Sequence, residues 1–261
     1  MTTRLERAHD LVEPYRCRPG VVGAYLGGSS TRPYVDALAD LDLFVVFDDE
    51  AFAALTERER YVLTITADLP RRKDVETICL PWAALEDYTR THRDSIRAGF
   101  HFSPVLFARD ARLAEITARI AALPEADRQD RLRVHYYELL WAADKAKKAR
   151  KRGNVANARL LEGSALDAAR RLLFVVRRRW PARRDWATHE LVDAGIPTPL
   201  LEQWADALGS DAPALDDLRG ALDPWLTAEG HSFHQNSFVL TNWCQFTAEG
   251  RAACERWSFV I

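Results

Sequence analysis

Gly28, Ser29, Asp40 and Asp42 are the residues whose types and spacing first suggest chemistry. They lie in VVGAYLGGSSTRPYVDALADLDLFVVF, residues 21–47. A small residue after a strand lets backbone N–H groups approach a phosphate closely, and a serine hydroxyl adds a donor. Twelve residues beyond Gly28, Asp40 begins a pair with Asp42 at the head of an apolar strand. Side chains two apart on a strand share a face, so the two carboxylates point the same way. Like charges so placed repel unless something positive sits between them. Mg²⁺ suits that position, because it prefers hard oxygen ligands and is often shared with substrate phosphates. A phosphate loop beside a carboxylate pair is equipment for phosphoryl or nucleotidyl transfer. Two metals about 3.5–4 Å apart would stabilise both the entering and the leaving oxygen of an in-line displacement.

The elements that must hold these residues follow from the pattern around them. Residues 4–15 predict a short amphipathic helix ending at Pro14, and 21–28 a strand broken by glycine. Residues 41–47 predict a strand, 51–67 a helix, and 74–80 (DVETICL) a further strand. PWAALEDYTRTHRDS starts a helix with proline in its first turn. SPVLFARD (103–110) predicts a fourth strand, followed by a helix over ARLAEITARIAAL. Past residue 126 the strands stop. RLRVHYYELLWAADKAKKARKRGN places Leu132, Tyr136, Leu139, Leu140 and Ala143 at helical spacing. A second long helix runs to Pro181, and shorter ones are expected over 184–194, 197–208, 213–228 and 233–256. The expected fold class is α+β: a mixed-sheet domain with flanking helices over residues 1–123, then an all-α helical bundle over 124–261.

The spacing of Gly28-Ser29 from Asp40-Leu41-Asp42, with an apolar strand on each side, resembles the DNA polymerase β-like nucleotidyltransferase superfamily. Within it, the stretch is similar to small-substrate enzymes, including antibiotic-modifying ones with a helical C-terminal domain. Pro33 and Ala39 depart from residues that are frequent in that family. The resemblance implies ATP or another nucleoside triphosphate as substrate, with Gly28, Ser29 and Arg32 on its phosphates. It implies two Mg²⁺ ions and a third carboxylate beside Asp40 and Asp42, supplied by Glu76, with Asp74 as the alternative. The implied reaction moves a nucleoside monophosphate, AMP first, onto a hydroxyl of a small molecule such as an antibiotic. A tRNA end or a protein as acceptor, and a nucleotide-binding protein without catalysis, are the alternatives. Some relatives build their cleft across a homodimer interface.

An acceptor hydroxyl calls for a general base. Glu138 is the candidate, with Lys145 two helical turns along the same face to contact phosphate. Glu162 is the runner-up base. Basic residues cluster at 145–152 and 177–184, at helix C-termini where cations complement the dipole. Arginine beside Trp180 could also stack on a nucleobase. The remaining numbers narrow the class. A chain of 261 residues, 48% hydrophobic, buries a full core, and a net charge of −2 gives no global pull toward a polyanion. Cys17, Cys79, Cys244 and Cys254 show no metal-type spacing and read as buried, reduced thiols. No secretion leader and no membrane-length apolar run is seen, so a cytoplasmic location is expected.

Overall fold

The computed structural model describes residues 4–34, 39–65, 73–210, 214–234 and 237–258. The fold is α+β, a mixed five-stranded sheet with helices on both faces and a long all-helical remainder. The chain divides into two compact units, residues 1–122 and 123–261.

In the first unit, α1 (Arg4–Arg16) precedes β1 (Val21–Gly27) and β2 (Leu41–Phe47). Then come α2 (Asp49–Ala53), α3 (Glu57–Arg60), β3 (Tyr61–Ile65) and β4 (Lys73–Pro81). Helices α4 (Trp82–Tyr88) and α5 (Asp94–Gly99), strand β5 (Val105–Ala108) and helix α6 (Arg112–Ala121) complete it. The sheet order is β3-β4-β2-β1-β5. Only the β2–β4 pair is parallel among those described; β1 runs antiparallel to both β2 and β5, and β3 antiparallel to β4.

Alternation on β2 sorts its residues onto two faces. Leu41, Leu43, Val45 and Phe47 enter one core with Val75, Cys79 and residues of α1. Phe44 and Val46 meet the other core, with Tyr25, Leu85, Leu113, Ile116 and Ile120. Asp42 belongs to this second face, at the end of the sheet where Phe44 is the next residue inward.

Two sequence expectations are corrected here. Residues 51–67 do not form one helix: α2 and α3 are single short turns, and YVLTI turns into β3 against β4. Its aromatic and β-branched residues suit a pleated edge, and pairing with β4 satisfies a ladder that a helix would leave open. Helix α1 also continues through Pro14 to Arg16. Proline has no N–H for the carbonyl four residues before it, and the helix ends two residues further on.

The second unit opens with α7 (Glu125–Lys151) and α8 (Val155–Val176), which pack along their lengths. Then follow α9 (Ala187–Asp193), α10 (Thr198–Gly209), α11 (Leu215–Ala228), α12 (Ser237–Phe246) and α13 (Ala248–Trp257). The stripe expected on α7, Leu132 through Ala143, is buried. One helix was expected over 233–256; instead Thr247 caps a new one, its hydroxyl accepting from the Gly250 amide at 2.9 Å. No described helix is long and apolar enough to cross a membrane.

Candidate active site

The sheet register builds the acidic site. Gly27 pairs with Asp42 on the next strand, and Asp42 pairs in turn with Glu76 of β4. Paired residues of neighbouring strands present their side chains on the same face, with strands about 4.8 Å apart. Asp42 and Glu76 therefore form a like-charged cross-strand pair, an arrangement that costs stability unless a cation joins it. Gly27 leaves its place in that row without a side chain. Phe44 occupies the space beside it, since a Cβ on Gly27 would fall 2.6 Å from the Phe44 ring. Phe44 stacks on Tyr25 at 4.9 Å, and these two rings floor the row on its core side.

Gly28 shapes the turn above the row. Its backbone takes φ 69° and ψ −160°, a region that essentially only glycine occupies. A Cβ there would lie 1.6 Å from Asp42 Oδ2, so the Gly28 backbone rests directly against the carboxylate. Two hydroxyls then fasten the turn: Ser30 Oγ donates to the Gly27 carbonyl at 3.3 Å and Thr31 Oγ1 to the Gly28 carbonyl at 3.0 Å. Nothing in the sequence singled these two out, although Ser and Thr after glycines are common turn closers.

The other sequence candidates fall in varied places. Ser29 opens a short 3₁₀ turn with Thr31 as its last residue. Arg32 is buried, its guanidinium donating to the Gly28 carbonyl and lying 5.8 Å over the Phe102 ring. It braces the glycine turn from behind. Asp40 lies just ahead of β2, partly exposed, while the side chain of the alternative Asp74 lies outside the described residues. Among the described residues no group of three or more His, Cys, Asp or Glu is placed to hold a metal ion. The register thus aligns two of the three expected ligands, Asp42 and Glu76. That donor set fits Mg²⁺ in the form it commonly takes, one or two carboxylates with the substrate's phosphates completing the shell.

Glu138, Glu162 and Lys145 belong to the helical unit. Glu138 is 1% exposed; its Oε2 meets His135 Nδ1 at 3.0 Å and its Oε1 accepts from Ser258 Oγ at 2.8 Å. Glu162 is held in a two-pronged ion pair by Arg150, at 2.5 and 2.7 Å. Lys145 is exposed, with Nζ 5.6 Å over the Trp141 ring. The face shared by Glu138 and Lys145 passes from core to solvent within two turns, so the two side chains do not work in one environment.

The arginine run near residue 180 is engaged inside its own unit. Arg177 pairs with Glu229, Arg178 with Glu125, Arg179 with Asp193 and Arg183 with Asp185. Trp180 is buried against the Arg131 guanidinium, which is also 4.4 Å from the Trp257 ring. Stacking of Trp180 on a nucleobase is ruled out by that burial. Of the four cysteines, Cys17 is exposed, contrary to expectation, and the other three are buried.

No protein-family model matches the chain, and no curated protein matches it. Among solved structures it is similar to a nucleotidyltransferase-like protein from Exiguobacterium sibiricum 255-15. The identity is 13% and the TM-score 0.46, over 95% of this chain and 77% of that one. At that level of similarity no residue role carries across from one chain to the other.

Proposed function

We propose that the α/β unit is a Mg²⁺-dependent nucleotidyltransferase, moving AMP from ATP onto a hydroxyl of a small acceptor. The observation that carries this reading is the Asp42–Glu76 cross-strand pair with the glycine turn pressed against it. Asp42 and Glu76 would hold the metal, and Asp40, two residues before Asp42, would extend the set. When bound, Mg²⁺ neutralises charge on the triphosphate oxygens and on the departing pyrophosphate. The chain's own task is positioning. Gly28 brings backbone to the carboxylate row without a side chain in the way, and Ser29 offers a hydroxyl at the same point. Arg32, Ser30 and Thr31 keep that turn in one conformation, so a bound triphosphate would meet donors already in place. In the reaction the acceptor hydroxyl gives its proton to solvent, its oxygen bonds to the α-phosphorus, the bond from that phosphorus to the β-bridging oxygen breaks, and pyrophosphate leaves with the electron pair.

A small acceptor is favoured over RNA because the arginines nearest in kind to a phosphate-backbone track are paired with carboxylates of their own unit. The test is thermal unfolding of the whole protein with MgCl₂, ATP, both or neither. Both together at about a hundred times the dissociation constant should stabilise by about 2.7 kcal/mol. Asp42→Asn and Glu76→Gln should each abolish that gain while remaining folded by circular dichroism, and pyrophosphate release with pooled hydroxyl acceptors should vanish with it. A well-folded wild type that shows no joint effect of metal and nucleotide overturns the reading.

A further inference from the structure

The helical unit contains an open cavity of about 750 Å³, lined by α8 and α10 with Glu138 of α7 and Arg184. Its size falls in the range of small-molecule sites, roughly 300–1,000 Å³. One part of its lining is apolar. Trp204 is buried there, its Nε1 donating to the Leu166 carbonyl at 3.1 Å, so the indole's polar end is already satisfied. Leu160 and Leu208 border the same cavity at 72% and 51% exposure, unusual values for large aliphatic side chains beside a concave site.

The rest of the lining is cationic. Arg159, Arg170, Arg171 and Arg184 stand against two carboxylates, Asp167 and Glu138, leaving a net charge of +2. Three of the four converge on one residue. Asp167 takes Arg171 Nη2 at 2.6 Å, Arg170 Nη2 at 2.9 Å and Arg184 Nε at 3.3 Å. Arg170 and Arg171 are buried, so this excess charge is partly withdrawn from water. Arg170 Nη1 also donates to the Ala182 carbonyl at 2.6 Å, and with four arginines to two carboxylates the lining is positive. An anion entering the cavity would meet this positive wall where water screens it less than at an open surface.

We propose that this cavity binds a small organic anion, a phosphate or carboxylate carried on an apolar body. The anionic group meets the Arg170, Arg171 and Arg184 side and the body lies against Trp204, Leu160 and Leu208. A polycation is the ligand this lining suits least. The site lies wholly within residues 123–261 and stands independently of the nucleotide reading.

The experiment is calorimetric titration of the whole protein with four naphthalene probes that differ only in their polar group. These are 1-naphthyl phosphate, 1-naphthoate, the neutral 1-naphthol and the cationic 1-naphthylmethylamine. One or both anions should bind saturably, with affinity falling as NaCl rises, and the neutral and cationic probes should bind at least about tenfold more weakly. Which anion binds tighter separates a phosphate ligand from a carboxylate ligand. Gly163 provides the location test. It lines the cavity from the middle of α8, and a Cβ placed on it meets nothing within 4 Å. Gly163→Leu should therefore fill the cavity, keep the fold, and lower anion affinity by about tenfold or more. Arg159→Gln with Arg184→Gln, both exposed side chains, should also weaken the anions and leave the amine unaffected. Equal binding of amine and anions, no binding of either anion, or unchanged affinity in a folded Gly163→Leu variant overturns the proposal.

Discussion

Burial governs His135, the histidine that meets Glu138. Its ring is fully enclosed, Nδ1 engages Glu138 Oε2, and Nε2 has no hydrogen-bond partner among the described residues. Desolvation pushes its pKa below the usual 6.5. The hydrogen bond and charge of Glu138 oppose this, the charges of Arg131 and Arg171 add to it, and the lowering wins. The folded chain therefore holds a neutral imidazole, whereas the unfolded chain takes a proton near pH 6.5. Above that pH the two states bind equally and nothing is lost. Below it the unfolded state binds more protons and stability falls, until the folded ring also titrates. One such proton changes stability by at most about 1.4 kcal/mol per pH unit. His231, whose pKa is also lowered by burial and by Arg128, works in the same direction. Asp167 is lowered too: burial raises it, but Arg170 and Arg171 outweigh that, so its contribution fades only in stronger acid. Urea unfolding from pH 7.5 to 5.0 should show a steady decline in stability, and His135→Gln should flatten it. A variant with the wild-type slope would show that another group carries the loss.

At the scale of elements, Arg97 does for α6 what a capping residue does elsewhere. A helix leaves its last carbonyls without partners. The buried Arg97 guanidinium donates from Nε to the Ile120 carbonyl at 3.0 Å and from Nη2 to those of Ala122 and Arg119 at 3.2 and 3.3 Å. Its Nη1 reaches the Thr89 carbonyl just past α4 at 3.4 Å, so one side chain ties two helices of the same face. Arg97→Met should cost about 1–3 kcal/mol, because the carbonyls stay buried without donors. Arg97→Lys should recover part of it, since a point charge cannot serve that fork. The midpoint in urea should shift with an unchanged slope; no shift would remove the capping role. The sequence gives little warning of such a residue. Asp40 and Asp42 stand out because strand alternation is a local rule, and Glu76 could be chosen for its strand. Its pairing with Asp42 instead depends on register between strands far apart in the chain. Arg97 and the Arg170–Asp167–Arg184 group depend on contacts that no spacing rule encodes. Where a local rule was applied to an edge, at residues 51–67, it mistook β3 for helix because a partner strand decided the outcome.

For the molecule as a whole, the two proposed sites draw their residues from different compact units. Both sheet cores consist of residues within 1–122, from Ala8 to Ile120. The carboxylate row and glycine turn fall in that unit, and every residue lining the arginine cavity falls in 123–261. A unit with its own core is expected to fold alone. Residues 1–122 and 123–261, expressed separately, should each unfold cooperatively, the first with a mixed α/β circular dichroism spectrum and the second with a helical one. A ligand stabilises only the unit that binds it, by an amount set by its concentration over its dissociation constant. MgCl₂ with ATP should then raise the melting temperature of 1–122 and leave 123–261 unmoved, while whichever naphthyl anion the whole protein binds should do the reverse. Because the net charge of the full chain is only −2, neither response should follow from bulk charge. If 1–122 folds but ignores metal and nucleotide together, the acidic pair is no binding site of its own. If the naphthyl anion stabilises 1–122 instead, the arginine cavity is not where it goes.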